Sequence, residues 1–229
     1  MWVKIMIDAG HGKDTPGKRT VDGMKEYEFN SAVASKLKEL LMLFEGVSVM
    51  FSHSDSSDVS LHVRTSRANS ANVDLFVSIH ANAHGNGRVW TSAEGIETFI
   101  YQTKPKEAAE LAVKVQEALI QETKRKNRGV KTADFYVLEK TKMTAILCEC
   151  GFMTNKVEAA LLRTDAYRAL CAKAIASGIA SYYSLKKKKK TPTSTLYKVQ
   201  VGAFAQKQHA INLAKELKKK GYDTIVVNE

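Results

Sequence analysis

Two histidines and two glutamates stand at places where an α/β fold gathers its ligands. His11 follows the apolar run "VKIMID" and lies between two glycines. His80 ends "DLFVSIH", Glu149 ends "TAILCE", and Glu26 sits in "DGMKEYEFN", just ahead of a long amphipathic stretch. In open α/β sheets, ligands collect beyond the C-terminal ends of the strands. Two imidazoles and one carboxylate can hold a catalytic zinc with a fourth position open, and a further carboxylate can serve as general base. The flanking Gly10 and Gly12 would let the backbone turn sharply and leave the imidazole uncrowded. Position alone keeps an ordinary alternative open. A histidine at a strand end is also a common core or surface residue, and ligands this far apart carry no diagnostic spacing. Glu28 competes with Glu26, because on a helix the two would face different ways. Its plainer role is an acid in a first helical turn, favourable to the dipole.

The elements that would position these residues alternate. "VKIMID", "VSVMFS", "DLFVSIHAN", "GIETFIYQ" and "TAILCEC" read as strands, the third and fifth apolar enough to be buried on both faces. Between them, "EFNSAVASKLKELLMLFEG", "SLHVRTSRANSANV" with Ser60 as N-cap, "PKEAAELAVKVQEALIQETKRK" opening on Pro105, and "DAYRALCAKAIASGIASYYS" read as helices. This order predicts an α/β fold: a mostly parallel sheet flanked by helices on both faces. A small β-α-β unit is expected at the C-terminus. There "LYKVQVGAF" and "YDTIVVNE" read as strands around the helical "AQKQHAINLAKELKKKG".

Composition narrows the class. The 229 residues are 44% hydrophobic and 26% charged, as in a soluble globular protein. No window is apolar enough for a membrane span, and no signal peptide is expected from "MWVKIMIDAGHG". Three cysteines, Cys148, Cys150 and Cys171, do not make a disulfide framework. Cys148 and Cys150 would point away from Glu149 across a strand, as small buried hydrophobes or, less simply, as a C-x-C metal pair. Of the net charge of +11, the stretch from Leu185 onward holds 11 Lys against 3 acids. The basic character therefore belongs to the tail, and it suits an anionic partner. The run "KKKKKTPTST" has linker composition.

Five stretches, "IDAGHG", "DGMKEYEFN", "LHVRTSRAN", "VSIHAN" and "FYVLEKTKMTAILCECGFMTN", occur in this order. Together they resemble the zinc-dependent N-acetylmuramoyl-L-alanine amidases of the amidase-3 family, over residues 2–184. The resemblance implies one Zn²⁺ held by His11, Glu26 and His80, with Glu149 as the catalytic acid/base. It implies a peptidoglycan hydrolase that cuts the amide between N-acetylmuramic acid and the stem-peptide L-alanine. It also settles the choice of Glu26 over Glu28. Arg64 and Asn82 are weaker candidates for substrate binding, and Arg64 and Arg67 can equally brace acids structurally. This chain departs from the family at Ala9, Lys13 and Thr144, none of them a ligand position.

The tail resembles one half of a sporulation-related (SPOR-like) wall-binding repeat. The expected organisation is a catalytic amidase domain over 1–184, a lysine-rich linker over 185–195 and a SPOR-like half module over 196–229. Expected partners are peptidoglycan and anionic wall polymers, with no specific nucleic acid, and with self-association through the half repeat. The enzyme would be made in the cytoplasm and act on the wall after release, as an endolysin or an autolysin. A zinc peptidase of other wall specificity and a basic polyanion-binding protein are the rival readings.

Overall fold

Strand β1 (Val3–Ala9) carries Ile5 and Ile7 toward one face of a sheet and Met6 and Asp8 toward the other, and all four are buried. That period of two decides the architecture. The computed structural model describes residues 2–15, 17–189 and 199–227. Contacts divide them into two units, Met1–Lys188 and Lys189–Glu229.

The first unit contains β1, α1 (Glu26–Leu41), β2 (Val47–Phe51), α2 (Leu61–Ala71), β3 (Leu75–Asn82), β4 (Ile96–Tyr101), α3 (Lys106–Thr123), β5 (Asn127–Ala133), α4 (Tyr136–Glu139), β6 (Thr144–Phe152), α5 (Lys156–Arg163) and α6 (Asp165–Tyr182). The six strands form one sheet in the order β2-β1-β3-β6-β4-β5. All neighbours are parallel except β4 and β6, which run antiparallel. The mostly parallel sheet with helices on both faces is as the alternation predicts.

The two faces are covered unequally. On one, Ile5, Ile7, Val77, Ile79 and Ile146 meet Phe29, Val33, Leu37, Leu111, Val115 and Ile175 from α1, α3 and α6. Burying a side chain such as Phe29 stabilises the fold by about 1.5–3 kcal/mol. On the other face, Met6, Phe76, Ala145 and Leu147 are covered by Ala68 of α2 and by Val137 and Leu138 of α4. Because α4 has four residues, this cover is thin. The polar residues Asp8, Ser78, His80 and Glu149 continue this second face toward the strand ends.

Local signals behave as chemistry dictates. Ser60 Oγ accepts the Val63 amide at 3.3 Å and starts α2. Pro105 stands at the N-cap of α3. Helix α1 stops at Leu41 rather than at Gly46, and a turn follows in which Gly46 has φ 67°.

Three elements differ from expectation. Strand β5, "NRGVKTA", is an edge strand without the apolar run of its neighbours, and α4 and α5 are short helices of four and eight residues. The expected linker begins inside the first unit: Lys188 N donates to Leu43 O at 2.8 Å and Glu45 N to Lys186 O at 2.8 Å. Backbone pairing holds this stretch while the lysine side chains stay in water. Residues 190–195 of that linker lie outside the described residues.

In the second unit, α7 (Lys207–Lys219) has the expected helix, with no buried residue. The flanking segments expected as strands show no strand pairing among the described residues, and 196–198 and 228–229 lie outside them. A split β-α-β half leaves a gap between its two strands that another strand must fill. One half alone offers no ladder.

Candidate metal centre

The site is built at the open ends of β1, β3 and β6. Residue His11 takes the left-handed turn itself, at φ 63°, a conformation histidine tolerates better than most side chains. The sequence pattern assigned that freedom to the flanking glycines. Gly10 instead makes room for the other imidazole: a Cβ there would lie 2.1 Å from the His80 ring.

Glu26, the first residue of α1, is 2% exposed and sits between the two histidines. His11 Nε2 lies 3.0 Å from its Oε2, and His80 Nδ1 lies 2.9 Å from its Oε1. The Lys18 and Ala81 amides donate to the same carboxylate at 3.2 Å each, and Asn30 Nδ2 at 3.3 Å. Glu28 turns back and accepts the Lys25 amide at 2.9 Å, which caps the helix and removes it from competition.

Ligand atoms of His11, Glu26 and His80 all lie within 4.8 Å of one another, the one such cluster among the described residues. Burial alone would push Glu26 up, but the hydrogen bond from His11 and the His80 imidazole beside it outweigh burial and hold the carboxyl below its usual range. The same hydrogen bond raises His11. Two imidazole nitrogens converging on one anionic carboxylate form a donor set that fits zinc.

Glu149 is the register partner of His80 on β3 and of Glu97 on β4. It is 9% exposed, and its Oε2 has no hydrogen-bond partner. Burial first, then the charges of Glu26 and Glu97, push its carboxyl well above the ordinary value. An acid whose ionised form burial disfavours can both take and give a proton.

Two expected substrate contacts are placed elsewhere. Arg64 is 2% exposed and lies beneath the His11 turn. It donates to Asp8 Oδ1 at 2.8 Å, to Val59 O at 2.8 Å, and to the carbonyls of Ala9 and His11. Its guanidinium is consumed by the fold and braces the loop, because burying a cation requires such partners. Asn82 donates to Glu97 Oε1 at 2.7 Å, and its own Oδ1 accepts the Ala83 amide at 2.8 Å. Arg67 donates to Ser52 O at 2.7 Å. Cys148, Cys150 and Cys171 are buried free thiols in the core. Val137 and Leu138 pack at the opposite end of the sheet from the ligands.

Sequence reasoning passed over Asp8, Ser78, Asn30 and Glu97, all buried and polar. Two of them, Asp8 and Ser78, occupy β-strands whose other buried residues are apolar. That mismatch is the signal that could have found them.

Comparison with known proteins agrees with this geometry. The N-acetylmuramoyl-L-alanine amidase family model matches residues 5–181, and a SPOR domain model matches residues 163–228. The first part of the latter match falls on α6, which packs in the core of the first unit. A sporulation-specific N-acetylmuramoyl-L-alanine amidase of Bacillus subtilis is 37% identical over 98% of this chain and 84% of its own length. The N-acetylmuramoyl-L-alanine amidase CwlM of Bacillus licheniformis is 35% identical over 98% of this chain and 85% of its own. The crystal structure of an N-acetylmuramoyl-L-alanine amidase from Clostridium difficile 630 superimposes with TM-score 0.76 and 33% identity, over 80% of this chain and 97% of that one. With His11, Glu26 and His80 converging in one place and a family match over residues 5–181, the chain belongs to the N-acetylmuramoyl-L-alanine amidase family.

Proposed function

We propose that the chain hydrolyses the amide between the lactyl group of N-acetylmuramic acid and L-alanine in peptidoglycan. In this reading His11, Glu26 and His80 hold one zinc ion and Glu149 moves the proton. The observation that carries it is the convergence of two imidazoles and a buried carboxylate beside a second, unpartnered carboxyl. The chemistry such an ion supplies is Lewis acidity, which polarises a carbonyl and brings the pKa of water to about 7.

The protein's own residues do the rest. The Lys18 and Ala81 amides and Asn30 keep Glu26 in place. Arg64 holds the His11 turn. Glu149 accepts a proton from the attacking water and returns it to the alanine nitrogen, which leaves poorly as an anion. Burial of its carboxyl raises its affinity for the proton it accepts, and the more basic alanine nitrogen takes that proton as it leaves.

The test is clearance of purified cell walls, with and without a chelator and with zinc restored. Cleavage at this bond releases new N-terminal alanine and no new reducing sugar. A zinc peptidase of other specificity would release a different N-terminus. For the second unit we propose wall retention, supported by its lysine excess, its exposed Val199, Val201, Ile225 and Val227, and the SPOR match. In this reading a second copy can complete the half repeat. Co-sedimentation with walls at rising salt checks the first idea, and analytical ultracentrifugation the second.

A further inference from the structure

We propose that Ser78 and Asp8, braced by Arg64, act as positioning residues that fix the tautomer of His80, so that Nδ1 is the nitrogen offered to the metal. This rests on the zinc reading above. Asp8 is 1% exposed and Ser78 fully buried, on adjacent strands β1 and β3. A carboxylate so deep would be costly without partners. Asp8 has three: Arg64 Nη1 at 2.8 Å, Ser52 Oγ, and Ser78 Oγ at 2.6 Å.

Proton accounting then sets the direction of the chain. Asp8 receives donors at both oxygens and so accepts only. The Ser78 proton is therefore committed to Asp8. The Ser78 oxygen also lies 3.1 Å from His80 Nε2. With its single proton used, the hydroxyl can only accept there, so Nε2 must carry a hydrogen. The lone pair falls on Nδ1, the atom 2.9 Å from Glu26 Oε1. A lone pair and a carboxylate oxygen facing each other at that distance require a cation between them: a metal ion or, in its absence, a second proton on the ring. Imidazole ligands commonly have their second nitrogen held in this way, and losing such a partner costs about 10- to 100-fold in metal affinity.

Neither Ser78 nor Asp8 reaches the bond to be cut in this reading, so their effect should register on the ligand before the reaction. The experiment uses the full chain loaded with zinc. Wild-type protein is first titrated with zinc against a chromophoric chelator to establish one site. Two-bond ¹H–¹⁵N spectra then report which His80 nitrogen is protonated. The expected result is Nε2-protonated His80 in wild type. Ser78→Ala is expected to bind zinc about 10- to 100-fold more weakly with unchanged circular dichroism, and Ser78→Thr, which keeps the hydroxyl, to recover most of the loss. Wild-type His80 protonated at Nδ1 overturns the proposal whether or not any variant folds, and so does an unchanged zinc affinity in Ser78→Ala. Folded wild type that takes up no zinc would instead fail the metal reading itself, and this proposal with it.

Discussion

Glu26 and Glu149 are the same side chain at nearly the same depth, 2% and 9% exposed, yet their surroundings treat them oppositely. Glu26 opens a helix, faces two imidazoles, and accepts from two backbone amides and one side-chain amide. Glu149 lies within the central strand β6, three residues before its end, with an oxygen that nothing reaches and two like charges nearby. The first is held as an anion, and the second is driven toward its neutral form. Burial does not decide which; the count and sign of the neighbours do. Two carboxyls driven apart in this way take different jobs, one as a fixed charge and one as a proton carrier.

The strongest way to break that comparison is to exchange the roles by substitution. Glu26→Ala should abolish zinc uptake, and wall clearance with it, read as metal content by elemental analysis. A variant that still carries one zinc would strip Glu26 of the ligand role. The next effect in size is Glu149→Gln. Zinc content should stay near wild type while turnover falls by about 100- to 10,000-fold, the usual weight of a positioned acid/base. Loss of zinc in that variant would erase the distinction between the two glutamates.

Much of this arrangement was legible because parallel strands expose their C-terminal ends together, so a residue that ends an apolar run is already half located. His11, His80 and Glu149 were placed by that rule, and Glu26 by standing just before an amphipathic helix. The rule fails where a residue's partner is remote in sequence. The sequence left Arg64 open between binding substrate and bracing acids, and its side chain takes the second role, running to β1 and the His11 loop, 55 residues away. Asp8 and Ser78 were hidden by apolar neighbours. Strand β5 was hidden by its own composition: as an edge strand, it can be as polar as a loop. The C-terminal half shows the opposite limit. Its periodicity is clear, and among the described residues it yields the helix α7 and no strand pairing.

A smaller effect sharpens the comparison from the side of Glu149. Glu97 lies across from it and is held anionic, because contacts with Lys131 and Arg128 outweigh the burial that would otherwise raise it. It is one of the charges that lift Glu149. Glu97→Gln removes that charge and leaves two cations nearby, so the Glu149 carboxyl should titrate lower. A general base with a lower pKa stays unprotonated to lower pH. The acid limb of kcat/KM should therefore move to lower pH, with metal content unchanged. A limb that stays put, or moves up, would mean that Glu97 does not act on Glu149.

The smallest effect concerns how the Glu26 side of the pair is delivered. The loop before α1 brings the Lys18 amide to Glu26, and Arg163 at the end of α5 clamps that loop. It donates to both oxygens of Asp22 and to Thr20 Oγ1 at 3.0 Å. The hydrogen bond from Arg163, chiefly, holds Asp22 down at about 2. The sign follows from the depressed value. The clamp contributes above the ordinary aspartate range, near 3.8, and is lost as pH falls through about 2. At neutral pH it is an exposed ion pair that solvent screens, so it adds little to stability. Arg163→Ala should return Asp22 to the ordinary range in a carboxyl ¹³C titration, and should weaken zinc binding by about fivefold at most. A larger loss would show that the loop, and not only the carboxylate it presents, carries the charge balance that separates Glu26 from Glu149.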